Sequence, residues 1–194
     1  LPVSQPDELL DSTVRVRGVC ATKFNHKRQL FAIQVMVPQP EDLEIEVPAP
    51  KKPFAVAARP LGSLLQFAPQ ERFGHRVKIE GTVSYFAPGE MIFLQDADQG
   101  VGVQTKQTDP LQPGDRVEVL GFVSQGQYTP LLQDAVYRKI SSGPPPQPVQ
   151  LTADEALKGN QDCRLIRVDA RVLDRTLPGA DRYLILQAGG RSDE

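Results

Sequence analysis

The residues Gly74–Ile140 constrain this chain more than any other stretch, because they alternate, turn and alternate again with no room for a long helix. Val77, Ile79, Gly81 and Val83 are interleaved with Lys78, Glu80 and Thr82, the period of a strand with one buried face. Pro88-Gly89 supplies a turn. Met91–Gln95 reads as a second strand, and a tight corner at Asp96–Gly100 leads into a third, Gly100–Gln104. Pro113-Gly114-Asp115 turns the chain again. Val117, Val119, Gly121 and Val123 then mark a fourth strand and Leu131–Ile140 a fifth. Five short strands in about seventy residues predict a small closed barrel, since closure removes the edges that short sheets otherwise expose.

The runs His75–Tyr85, Ile92–Val103 and Leu111–Val123 resemble the OB-fold: a three-stranded meander, a linker and a closing hairpin. Glycine usually weakens a strand. Gly81 and Gly121 fall where a strongly coiled strand must bend around a barrel corner, so here they support the resemblance. That fold hosts many functions and selects none of them.

The flanks repeat parts of this unit. Along Asp11–Val19, Val14 falls on Val117, Val16 on Val119 and Gly18 on Gly121, while Leu30–Val35 falls near Leu131–Asp134. Residues 1–48 therefore read as the back half of a barrel, its fourth and fifth strands, expected as a hairpin over Arg15–Val37. Residues 54–140 are the complete barrel. Within them Phe54–Phe73 carries Leu61, Leu64, Leu65 and Phe67, a short helical pattern. Residues 149–194 read as a front half. Leu151–Gly159 has helix punctuation, with Thr152 as N-cap, Glu155 closing a capping box and Gly159 ending the turn. Ile166 then falls on Val77, Val168 on Ile79 and Val172 on Val83, and Tyr183–Gln187 repeats Ile92–Gln95. Pro48–Pro53 and Ser141–Pro148 are stiff linkers between the parts. The expected fold class is all-β: tandem OB-fold-like five-stranded barrels with short helices, one complete unit flanked by a back half and a front half. The two halves are expected to complement one another, within one chain or between two chains as a swapped homodimer.

Little in the sequence points to reaction chemistry. Two histidines, His26 and His75, and two cysteines, Cys20 and Cys163, show no metal-ligand spacing and assemble no triad, so no catalytic, metal or cofactor-binding residue is assigned. His75 reads as a strand-end surface residue. Gln95, Asp96 and Asp98 form an acidic turn that lacks the EF-hand pattern. Cys20 and Cys163 admit two readings. One is a disulfide formed if the two halves pair; the other, simpler one is two separate thiols. Lys23, Phe24, His26, Lys27 and Arg28 are the densest basic cluster, expected in a hairpin turn. They are the candidate contacts for a ligand or a single-stranded nucleic acid, with Phe24 stacking a base; the competing reading is a solvated hairpin tip. Tyr85, Phe86 and Phe93 are the further exposed aromatics that a nucleic-acid reading would use. A net charge of −2 argues against nucleic acid as a partner. No apolar run approaches the ~20 residues of a membrane helix. The chain opens without Met and stops just after Gly189-Gly190, and is expected to be a piece of a longer protein.

Taken together, Arg15–Leu30, Gln34–Pro38, Pro53–Val83, Ile92–Thr105, Leu111–Phe122 and Tyr128–Ile140 are similar to the extracytoplasmic N-terminal regions of bacterial membrane-bound sensor histidine kinases of the kind found in Acidobacteria. The resemblance implies OB-like repeats ahead of a membrane segment and a cytoplasmic kinase core. It implies a periplasmic or extracellular location and a non-catalytic sensory or spacer role. The implied partners are the rest of the kinase chain and a periplasmic ligand or protein. The kinase's histidine and ATP-binding boxes are absent from this stretch, so no ligand or catalytic residue is carried over.

Overall fold

The computed structural model describes residues 9–24, 30–65, 75–126, 129–175 and 184–187. The chain divides into two compact units, Leu1–Ala55 and Val56–Glu194.

The second unit contains the barrel. Its strands are β6 (Val77–Ala87), β7 (Met91–Gln95), β8 (Gly100–Thr105), β9 (Asp115–Gln125) and β10 (Pro130–Ser142). β6 pairs with β7, β7 with β8, β8 with β10 and β10 with β9, and β9 returns to β6. The circuit is closed, so each barrel strand is paired along both edges over part of its length. All contacts are antiparallel except β8–β10, which is parallel. The expected alternation holds. Ile79, Val83, Ile92, Leu94, Val101, Val103, Val117, Val119 and Leu132 fill the interior, all at 0–2% exposure. Glu80 and Thr82 lie on the other face of β6, only partly exposed. The fifth strand begins one residue before and ends two residues after its pattern, at Ser142, and the Gly143 N–H then donates to the Gly114 carbonyl at 3.0 Å.

The turns form as their residues dictate. Gly89 and Gly114 hold φ of +74° and +98°, which L-residues rarely adopt. At the corner between β7 and β8, the Asp96 carboxylate accepts the N–H groups of Asp98 (3.1 Å) and Gln99 (3.0 Å). That local turn bonding accounts for the acidic cluster at Gln95–Asp98.

Two short elements precede the barrel. β5 (Ala58–Arg59) adds to β6 in parallel, Ala58 opposite Lys78. Leu61–Leu65 is a 3-10 turn, with Leu61 buried against the core. This corrects the helical pattern expected over Phe54–Phe73: its described part is two 3-10 turns and a two-residue strand, and residues 66–74 lie outside the described residues.

The residues after the barrel retrace this layout. β11 (Val149–Gln150) lies parallel to β12 (Ile166–Arg167), with α1 (Ala153–Ala156) between them. Thr152 caps α1. Its Oγ1 accepts the Glu155 N–H, and the Glu155 carboxylate accepts the Thr152 N–H at 2.8 Å, the expected capping box. Gly159 follows at φ +76°. β13 (Arg171–Arg175) and β14 (Leu184–Gln187) then form an antiparallel hairpin.

In the first unit, β1 (Thr13–Val16) pairs with β4 (Leu43–Val47), and β2 (Val19–Phe24) pairs with β3 (Leu30–Met36). The expected Arg15–Val37 hairpin therefore forms in its later part as β2–β3, while its first residues, in β1, pair beyond it with Leu43–Val47. The chain passes through Arg17-Gly18, and the second arm of the hairpin carries an insertion, Val37–Asp42, built around a 3-10 turn at Pro40–Asp42. Arg17 pins that insertion by donating its N–H to the Asp42 carbonyl at 2.8 Å and its guanidinium to the Asp42 carboxylate. Gly18 is needed there, because a Cβ would sit 2.4 Å from the Met36 carbonyl oxygen.

Candidate functional site

Three surfaces come into question, and each follows from how the strands present their outer faces. The first is the basic hairpin tip. Lys23 and Phe24 are the last two residues of β2 rather than part of a turn, and Phe24 is 58% exposed. The ladder carries them because Lys23 lies opposite Ala32 and Phe24 opposite Leu30. His26, Lys27 and Arg28 lie outside the described residues.

The second is the outer face of β6–β7. Tyr85 is exposed, and its ring lies 5.9 Å from that of Phe93 in a tilted contact. Phe86, expected on the same exposed face, is instead partly buried against the core and meets Tyr137 edge-on at 6.2 Å. A bulge between Val83 and Tyr85 interrupts the strict alternation and turns Phe86 toward the core. Burial raises the Tyr137 phenol pKa, and its hydroxyl donates to the Asp109 carbonyl at 2.6 Å.

The third is an open cleft of about 670 Å³ beside β6, lined among others by Arg59, Glu80, Thr82, Gln95, Arg116 and Pro144–Pro146. Glu80 and Arg116 close on one another across it at 2.9 Å.

Beyond the cleft the barrel's outer wall is neutralised in place. Glu118, nearly buried, accepts from Arg138 and from Lys78 (3.1 Å), and these contacts outweigh burial to hold its pKa below the usual carboxylate range. Asp115 is held low in the same way, by Lys139 at 2.8 Å and the Gln112 N–H at 2.9 Å. These carboxylates serve as cross-strand ties, and two others are paired as well: Glu80 with Arg116, and Asp169, which accepts from Gln150 at 3.3 Å. Among the described residues no group of three or more His, Cys, Asp or Glu is placed to hold a metal ion. His75 is exposed just ahead of β6.

Cys20 and Cys163 stand as free thiols. Cys20 is exposed on β2. Cys163 holds φ +61° and lies half-buried against the barrel, with its sulfur 3.5 Å from Thr129 Oγ1; burial raises its pKa. Its neighbours dock the C-terminal segment on the barrel. The Leu165 N–H donates to Gln95 Oε1 at 3.0 Å, Arg164 donates to the Ala97 carbonyl at 3.0 Å, and Thr129 donates to Asp162 at 2.6 Å. Gly100 permits this approach, since a Cβ there would lie 2.4 Å from the Cys163 carbonyl. Sequence reasoning missed this contact because the residues involved are polar and far apart in the chain. Gly100, at the end of the Asp96–Gly100 corner, was the signal of a close backbone approach.

No protein-family model matches this chain, and no curated protein matches it. Among the described residues, no helix is long and apolar enough to cross a membrane.

Proposed function

We propose that this chain is a non-catalytic array of OB-like barrel units from the extracytoplasmic region of a membrane-bound sensor histidine kinase. In that role it spaces a signal-receiving surface from the membrane, or relays a change in packing between units. The observation that carries the array reading is a repeated register. In the barrel hairpin Thr82 faces Gln95, Val83 faces Leu94, a bulge follows, and then Tyr85 faces Phe93 and Phe86 faces Ile92. In β13–β14, Arg171 faces Gln187, Val172 faces Leu186, a bulge follows, and then Asp174 faces Ile185 and Arg175 faces Leu184. The pairs and the bulge coincide throughout. The parallel two-residue strand before each hairpin coincides as well, β5 with β6 and β11 with β12.

A barrel wall whose carboxylates are tied by cross-strand pairs, with an open cleft on one side, suits a module that binds and transmits more than one that turns over substrate. The sensor-kinase setting itself rests on the sequence resemblance. It is tested by fusing alkaline phosphatase and, separately, a fluorescent protein that matures only in the cytoplasm after Glu194 in the native gene. Phosphatase activity without fluorescence is the expected result; the opposite pattern overturns the extracytoplasmic assignment. The competing single-strand nucleic-acid reading has Phe24 and the Tyr85–Phe93 pair in its favour. It predicts binding to a single-stranded oligonucleotide that weakens steeply with salt.

A further inference from the structure

The barrel shows what the two flanking hairpins lack. In it, β6 is flanked on one edge by β9, with Val77 facing Gly121, Ile79 facing Val119, Glu80 facing Glu118 and Gly81 facing Val117. The C-terminal counterparts of Ile79–Gly81 are Val168–Ala170, and this is where the strand is interrupted. β12 is held by β11 and β13 by β14, while Val168–Ala170 belong to no ladder. β1, the counterpart of residues 116–119 in β9, likewise has one paired edge, toward β4, and among the described residues no strand pairs with its other edge. Its side chains Val14 and Val16 stand 37% and 40% exposed, whereas Val117 and Val119 are fully buried.

We infer that Ile166–Ala170 of one copy of this chain pairs antiparallel with the free edge of β1 of a second copy. The register transfers from the barrel: Ile166 faces Gly18, Val168 faces Val16, Asp169 faces Arg15 and Ala170 faces Val14. The second copy is the occupant because it carries both the strand and the charge that fit. Where the barrel sets Glu80 opposite Glu118 and needs Lys78 and Arg138 to neutralise the latter, the join sets Asp169 directly opposite Arg15. Among the described residues Arg15 is engaged at the solvent-exposed carboxylates of Glu44 and Glu46, and Asp169 by an exposed Gln150. Opposite charges across a strand pair favour one register, whereas like charges oppose it. Two copies satisfy both joins reciprocally, as a closed dimer.

This inference rests on the repeat reading and not on the sensor assignment, so the phosphatase fusion and the following experiment fail independently. In a background carrying Cys20→Ser and Cys163→Ser, full-length Val16→Cys and Val168→Cys chains of different tag size are mixed and oxidised. Directly facing residues lie about 4.5–5.5 Å apart between Cα atoms, within disulfide range. The expected product is a disulfide joining the two differently tagged chains, formed in greater yield than when Thr13→Cys replaces Val16→Cys. Absence of the product, or equal yield from the Thr13→Cys control, overturns the register. Light scattering of the unmodified chain is the second measurement. Association with rising concentration is expected, and a monomer at the highest soluble concentration overturns the join. Asp169→Lys or Arg15→Glu alone should weaken association about two- to fivefold, and the two reversals combined should restore it. If the double reversal is no better than either single change, the two residues do not face each other.

Discussion

The β6–β7 and β13–β14 hairpins share a register and a bulge, yet their apolar residues meet opposite fates. Val83, Ile92 and Leu94 are wholly buried, while their counterparts Val172, Leu184 and Leu186 are 55%, 58% and 46% exposed. The difference separates two levels of cause. Pairing between neighbouring strands depends on the residues of the hairpin itself, so it forms in both places. Burial needs β8, β9 and β10 to close over the hairpin, and only β6–β7 has them.

The largest expected effect breaks this comparison directly. Leu94→Ala should cost about 2–5 kcal/mol, because the closed barrel cannot collapse around the lost side chain. Leu186→Ala, at the same register position, should cost no more than about 0.5 kcal/mol. Chemical denaturation of both variants at a concentration where the chain is monomeric reads the contrast. Equal costs would mean that Leu186 has a hidden core of its own.

A smaller effect sharpens the comparison by loosening the hairpin's anchor. Gly100→Ala places a methyl where the Cys163 carbonyl lies, at a cost of about 1–3 kcal/mol if the segment stays docked. The segment is expected to lift instead. The Cys163 thiol, protected by burial and by its raised pKa, should then react faster with a thiol reagent while the exposed Cys20 keeps its rate. An unchanged Cys163 rate would show that the docking does not depend on Gly100.

The smallest effect concerns acid. Asp115 and Glu118 have pKa values held below their ordinary ones. Their contribution is complete above the unfolded carboxylate range of about pH 4 and is lost as pH falls through the lower folded values. The barrel should therefore weaken progressively below about pH 4, and Glu118→Gln should flatten that dependence. A slope that survives the substitution would place the acid sensitivity elsewhere. In the first unit the equivalent tie is reversed in sign, Arg15 facing Glu44 where the barrel has Glu118 facing Arg138. Cross-strand complementarity is thus kept while the charges trade places.

The sequence by itself determined the strands of the barrel, its turns and its buried face, because alternation and turn chemistry are local. Val77–Val83, Pro88-Gly89 and Pro113-Gly114-Asp115 each state their role within a few residues. It also determined the capping box at Thr152–Glu155. Only the tertiary structure decided what depends on distant partners. It set the closure of β9 on β6, the bulge that turns Phe86 toward the core, and the docking of Cys163–Leu165 on the corner at Gln95–Gly100. It also gave β1 a partner outside the expected hairpin, Leu43–Val47, because a strand edge accepts any backbone that arrives in register. The insertion at Val37–Asp42 and the close approach of Gly18 to Met36 settle which one does.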